Sequence, residues 1–147
     1  MDRDFDFSKL LSKEYVISNG FLYDEDVFSF ESYWEKGFNH YERLFYTDKA
    51  NKKEPFSGLL YELYPNGDIL GYSFYKDGYE DGENVDFYDN GAVSRYMYYN
   101  KNDSASLVIE WFRNGSISKI TEKTDHGKHE RYIEYDERGN ITAQGGA

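Results

Sequence analysis

The chain has 147 residues, enough for one compact domain that would bury roughly 70% of the surface its unfolded chain exposes. Its formal charge of −11, from 28 Asp and Glu against 17 Lys and Arg, makes nucleic acid and anionic membrane disfavoured partners and would steer in a basic protein. The absence of cysteine excludes disulfides and thiolate chemistry, while 16 Tyr, 11 Phe and 2 Trp favour pleated, half-buried strands over helices.

In chain order, Met1 to Phe7 show no basic region followed by an apolar run, and no stretch approaches the ~20 apolar residues of a membrane span, so cytoplasmic residence is expected. Residues 1–25 are expected to cap a repeat array, with a short helical turn at Asp6 to Leu11 and a strand at Tyr15-Val16-Ile17 turned by Ser18-Asn19-Gly20. Residues 26–57 read as a divergent repeat: Phe30 to Gly37 resembles the strand before a repeat turn, and Leu44 to Asp48 resembles the strand after one. Its second turn is enlarged by Ala50 to Pro55. Regular repeats follow over 58–144, all within a single domain 1–147.

The regular part is anchored by Gly67, Gly91, Gly115 and Gly139, spaced 24 residues apart. The flanking residues recur in register: Tyr61-Glu62-Leu63-Tyr64 before the first glycine, then Val85-Asp86-Phe87-Tyr88, Ile109-Glu110-Trp111-Phe112 and Ile133-Glu134-Tyr135-Asp136. A period of this length means a unit that buries its apolar face only against its neighbours. Asn-Gly at 66–67, 90–91 and 114–115, with Arg138-Gly139 as the fourth copy, predicts type I′ hairpin turns, since both positions must accept positive φ. A second turn alternates at Lys76-Asp77-Gly78, Asn100-Lys101-Asn102 and Asp125-His126-Gly127. The expected strands are 58–65 with 68–76, 82–89 with 92–99, 106–113 with 116–123, and 130–136 with 140–144, ending in a loose tail from Gln144. The fold class is therefore mainly β, an extended antiparallel meander of hairpins with an irregular N-terminal cap.

Side chains alternate across a strand. One face, expected to be buried, carries Tyr61, Leu63, Val85, Phe87, Ile109, Trp111, Ile133 and Tyr135, continued after each turn by Ile69, Val93, Ile117 and Ile141 and by Tyr72, Phe74, Tyr96 and Tyr98. The other carries Glu62, Asp86, Glu110 and Glu134, followed two residues later by Tyr64, Tyr88, Phe112 and Asp136. Carboxylates on every second strand lie roughly 9.5 Å apart. That spacing would allow an inverting glycosidase pair, but four equivalent copies point instead to a structural role, each acid hydrogen-bonded by a turn or tyrosine hydroxyl, or to a recognition ladder for a cationic partner.

No other motif carries chemistry. His126 and His129 sit in a lysine-flanked turn with no further metal-ligand cluster, no nucleophile elbow or phosphate-cradling loop occurs, and the basic residues form no stripe. Neither cofactor nor catalytic residue is expected, and the protein is read as a non-enzyme.

The motif of aromatic, acid, two aromatics, two polar residues, glycine, one residue and Ile or Val, followed by Lys-Asp-Gly, resembles the MORN-variant repeat, in the form found in bacterial YwqK-like antitoxins and polymorphic-toxin immunity proteins. The resemblance covers about residues 56–144, is sharpest at Tyr61 to Ile69 with Tyr75 to Gly78 and at Val85 to Val93, and fades where Asn102, Ser106 and Asp136 depart from the pattern. It implies an extended sheet of hairpins and a protein-binding role, in many members the neutralisation of a toxin encoded alongside. The expected function is thus an immunity protein or antitoxin that binds a cognate, basic, nucleic-acid-processing toxin; the alternative is an interaction scaffold with no toxin partner. The expected contact is Glu62, Tyr64, Asp86, Tyr88, Glu110 and Phe112, with Tyr33, Trp34 and Tyr41 of the divergent unit as a second region.

Overall fold

The computed structural model describes residues 5–35, 39–100, 105–124 and 129–146; the side chains of 33–35, 39–41 and 124 also lie outside the described residues. Two sheets hold the strands. The larger has nine, in the order β1 (Phe21–Leu22), β5 (Gly58–Leu63), β6 (Ile69–Lys76), β7 (Tyr79–Phe87), β8 (Val93–Tyr99), β9 (Ala105–Trp111), β10 (Ile117–Thr124), β11 (His129–Tyr135) and β12 (Ile141–Gly146). From β5 to β12 every neighbour is next in sequence and antiparallel, which is the expected meander. The smaller sheet contains β2 (Phe28–Glu35), β3 (Asn39–Thr47) and β4 (Lys53–Pro55).

The structure departs from several expectations. Residues Tyr15-Val16-Ile17 are helical, in α1 (Lys13–Asn19), because Ser12 accepts the Tyr15 amide at 3.1 Å and Glu14 sits in the positively polarised first turn. Within α1 only Val16 is buried, while Tyr15 and Ile17 stay exposed. The expected helical turn near Phe7 is present as a short 3₁₀ segment, Phe7–Lys9, capped by Asp6.

The second correction concerns the turns. At Gly67, Gly91, Gly115 and Gly139 φ is +91°, +86°, +92° and +89°, yet the preceding residue keeps a negative φ. The Gly67 amide donates to the Tyr64 carbonyl at 2.9 Å, and the Tyr64 amide donates to the Asp68 carbonyl at 2.8 Å. This is a three-residue loop, a type I turn closed by a left-handed glycine. Asn66, Asn90 and Asn114 contribute through their side chains, each Oδ1 accepting the amide two residues on at 2.9–3.0 Å. In the fourth copy Asp136 takes that duty, accepting the Arg138 and Asn140 amides, so the departures at 136 and 138 compensate each other. The type I′ geometry belongs to the other turn: Asp77 (φ +52°) and Gly78 (φ +86°) join the paired residues Lys76 and Tyr79.

Third, the divergent hairpin β2–β3 does not extend the meander. β1 occupies the place beside β5, in parallel register, and β2–β4 folds over the end of the large sheet. The reason is apolar: Phe28, Leu44 and Phe56 pack on Leu60 and Tyr75, burying the face of β5 and β6 opposite the main core. Gly78 is the joint, its amide donating to the Phe56 carbonyl at 2.6 Å and its carbonyl accepting the Leu44 amide at 2.8 Å. A Cβ there would stand 2.7 Å from the Leu44 carbonyl oxygen, so backbone can pass this close only at glycine.

The main core follows the expected parity. Tyr61, Tyr72, Val85, Tyr96, Ile109, Trp111, Ile120 and Tyr135 are buried on one face, with Leu63, Ile69, Phe74, Phe87, Ile117 and Ile133 packed against them. The N-terminal segment covers it: the Phe5 ring lies 4.8 Å from Tyr96 and 5.3 Å from Trp111, and the Leu11 amide donates to the Tyr72 hydroxyl at 3.0 Å. Two positions expected in this core are outside it, Tyr98 and Ile141, at 44% and 53% exposure. Ile141 lies on β12, whose outer edge pairs with no strand among the described residues. The tail expected to be loose from Gln144 is part of that strand.

Candidate protein-binding face

The face of the large sheet away from the N-terminal segment carries the predicted carboxylates. Reading the register across the strands, Glu62 stands opposite Gly71, Gly71 opposite Asp86, Asp86 opposite Arg95, Arg95 opposite Glu110, Glu110 opposite Lys119, and Lys119 opposite Glu134. The acids therefore share one row, but with cations between them. Arg95 pairs with Asp86 at 3.1 Å, and Lys119 lies 3.4 Å from Glu134. Instead of a purely negative ladder, the row alternates in sign from Asp86 to Glu134, and its excess acid is greatest at Glu62, which faces a glycine. Arg95 and Lys119 were open to discovery from sequence, since 71, 95, 119 and 143 are one repeat position occupied by Gly, Arg, Lys and Ala. Only strand pairing shows that this position meets the acid of the next unit.

The predicted aromatics line the turn edge of the sheet. The Tyr64 hydroxyl donates to the Phe87 carbonyl at 2.5 Å, and the Tyr88 hydroxyl donates to the Trp111 carbonyl at 2.6 Å, each 23 residues along the chain. They tie one repeat to the next along the turn edge. Phe112 has no hydroxyl to continue the series; beyond it the Ser116 hydroxyl reaches the Glu137 carbonyl at 3.4 Å. Arg113 reinforces the same edge, 2.7 Å from Asp89 and 4.9 Å from the centre of the Tyr88 ring. Tyr33 and Tyr41 are opposed in the β2–β3 register and Trp34 is opposite His40, while their side chains lie outside the described residues.

A second row that sequence reasoning missed runs beside the charges: Asn84, Met97, Val108, Thr121 and Tyr132, each opposite the next. Thr121 is buried and Met97, Val108 and Tyr132 are half-buried, with the Lys119 ammonium 5.3 Å from the Tyr132 ring centre. The signal was present as alternation, but neither Met97 and Thr121, which share one repeat position, nor Asn84, Val108 and Tyr132, which share another, resemble each other. Nearer the small sheet, Glu80 accepts from the Tyr75 hydroxyl at 3.4 Å and from the Asn84 amide at 3.3 Å. Burial raises the Glu80 carboxyl above its ordinary range, with Glu42 adding repulsion, and burial likewise pushes the Tyr99 hydroxyl up to about 12. Among the described residues no group of three or more His, Asp or Glu could hold a metal ion, and no helix is long and apolar enough to cross a membrane.

These features define a repeated β-hairpin protein with a flat, charged and partly apolar face, a surface suited to another macromolecule more than to a small molecule. The comparison with characterised proteins agrees with that class. Over 67 residues the chain is 34% identical to the immunity protein YwqK of Bacillus subtilis (strain 168), a match covering 40% of this chain and 43% of that protein. No family model and no solved structure matches.

Proposed function

We propose that this protein is an immunity protein, binding a cognate toxin and neutralising it without catalysis of its own. The observation that carries the reading is its partial identity with the YwqK immunity protein, supported by the net charge of −11 and by a broad sheet face with charged and apolar rows side by side. The toxin is a basic protein, drawn in by the negative field and seated on the face of Glu62, Asp86 and Glu110, with Met97, Val108 and Tyr132 supplying apolar contact. Tyr64, Tyr88 and Phe112 frame the turn edge of that surface, and the hairpin carrying Tyr33, Trp34 and Tyr41 flanks it. The setting is the cytoplasm.

The test uses the protein domain encoded in the adjoining reading frame. Replacing Asp86 and Glu110 together by Lys should slow association about tenfold at low salt and flatten its salt dependence, while circular dichroism stays unchanged. Association rates identical to wild type would remove this face as the contact. Failure of the neighbouring product to bind wild-type protein at all would remove the toxin partner itself.

A further inference from the structure

The two ends of the nine-stranded sheet are built differently. At one end β1 is two residues long, and a strand this short offers little to pair with. At the other, β12 presents six residues, Ile141-Thr142-Ala143-Gln144-Gly145-Gly146, with no charge and no proline, and its outer edge has no partner among the described residues. Natural edge strands are normally blunted by lysine, proline, inward charge, a β-bulge or brevity. β12 carries no charge and no proline; its register against β11 slips between Ile141 and Ala143, where Thr142 is the extra residue, and its one positive φ is at Gly146, so the regular stretch of the edge is Ala143 to Gly145.

The inner junctions of the array indicate which occupant fits. Where β8 receives β9 and β10 receives β11, Arg95 meets Glu110 and Lys119 meets Glu134, and one residue on Tyr96 meets Ile109 and Ile120 meets Ile133. The equivalent positions on β12 are Ala143 and Gln144. Another strand of the repeat type would therefore set its acid against a methyl group and its aliphatic residue against an amide. A copy of β12 itself brings neither mismatch: antiparallel to its own image, it opposes uncharged residues throughout, and a two-fold axis near Ala143 and Gln144 repeats every contact.

We propose that the outer edge of β12 pairs antiparallel with the same edge of a second copy of this chain, joining two nine-stranded sheets into one continuous sheet. A strand pair of at most six residues buries less than the about 1,200 Å² of a standard stable interface. The dimer is accordingly weak and exchanging, and the charge of −11 on each copy makes it tighter at high salt.

Sedimentation velocity on the 147-residue chain, from low micromolar to millimolar concentration in high and low salt, tests this. Wild-type protein should pass from monomer to dimer, more readily in high salt. The discriminating variant is Ala143→Lys. It restores the cation found at Arg95 and Lys119, beside the cross-strand Glu134, so the monomer should melt at or above the wild-type temperature. Across the two-fold axis it sets like charges against each other and should raise the dimer dissociation constant at least about tenfold. Gln144→Lys, on the opposite face of the same strand, should weaken the dimer likewise. A wild-type protein that stays monomeric at millimolar concentration overturns the proposal, as does dimerisation undiminished in both variants. Neither result depends on a toxin.

Discussion

The second and the last repeats descend from the same motif but live in different surroundings. Around β5 and β6 the sheet is covered on both faces, by the N-terminal segment over Tyr72 and by the small sheet over Leu60 and Tyr75. At β11 and β12 cover thins: Tyr135 is buried, yet Ile141, six residues later and within the same motif, is 53% exposed. In a repeat array each unit's stability is its own plus that of the interfaces it shares. The repeated residues therefore do not have repeated energies, and a substitution should be judged by what lies above and below it, not by its place in the motif.

The largest effect that would sharpen this contrast comes from paired truncations. Leu44→Ala, in the joint between the sheets where Leu44 is 0% exposed, should destabilise by about 3 kcal/mol in urea titration, whereas Ile141→Ala should change stability by less than about 0.5 kcal/mol. Comparable losses from both would break the comparison.

A smaller effect should come from the ties between units. Tyr88→Phe removes the hydrogen bond to the Trp111 carbonyl and should cost about 1 kcal/mol by thermal or urea unfolding. If stability is unchanged, the hydroxyls are not the connectors that the geometry describes.

The smallest is a pH effect with opposite sign at the two ends. Burial raises the folded-state pKa of Glu80, so its contribution to stability is complete below its ordinary 4.5 and is lost as pH rises through the folded value. Asp136 behaves oppositely: the Asn140 amide holds its carboxyl low, and its contribution, present above the ordinary 3.8, is lost as pH falls. Glu80→Gln should thus raise the melting temperature at neutral pH by roughly 2–4 °C and match wild type below about pH 4. A gain that persists unchanged at low pH would place its origin elsewhere than in the Glu80 charge.

Much of this architecture was legible beforehand because its causes are local. Glycine every 24 residues, with Asn before three of the four, marks the turns, and period-two alternation places Val85, Ile109 and Trp111 inside. The turn type was misread because Asn-Gly suits both geometries: Asn66 accepts its bond through the side chain, while the left-handed pair fell at Asp77-Gly78. α1 was misread because Tyr, Val and Ile favour strands in isolation, whereas here a Ser12 cap and one buried contact at Val16 outweigh that preference.

By itself the sequence determined the period, the strand order of the meander, the buried face and the acidic row, since each follows from turn chemistry and side-chain alternation within a few residues. Only the tertiary structure decided that Arg95 and Lys119 interleave the acids, that Tyr64 and Tyr88 bind the next unit's carbonyls, and that the divergent hairpin folds over the sheet instead of lengthening it. Those outcomes depend on register between strands and on apolar surfaces far apart in the chain, where pairing energy is shared among neighbours and no single segment carries the signal.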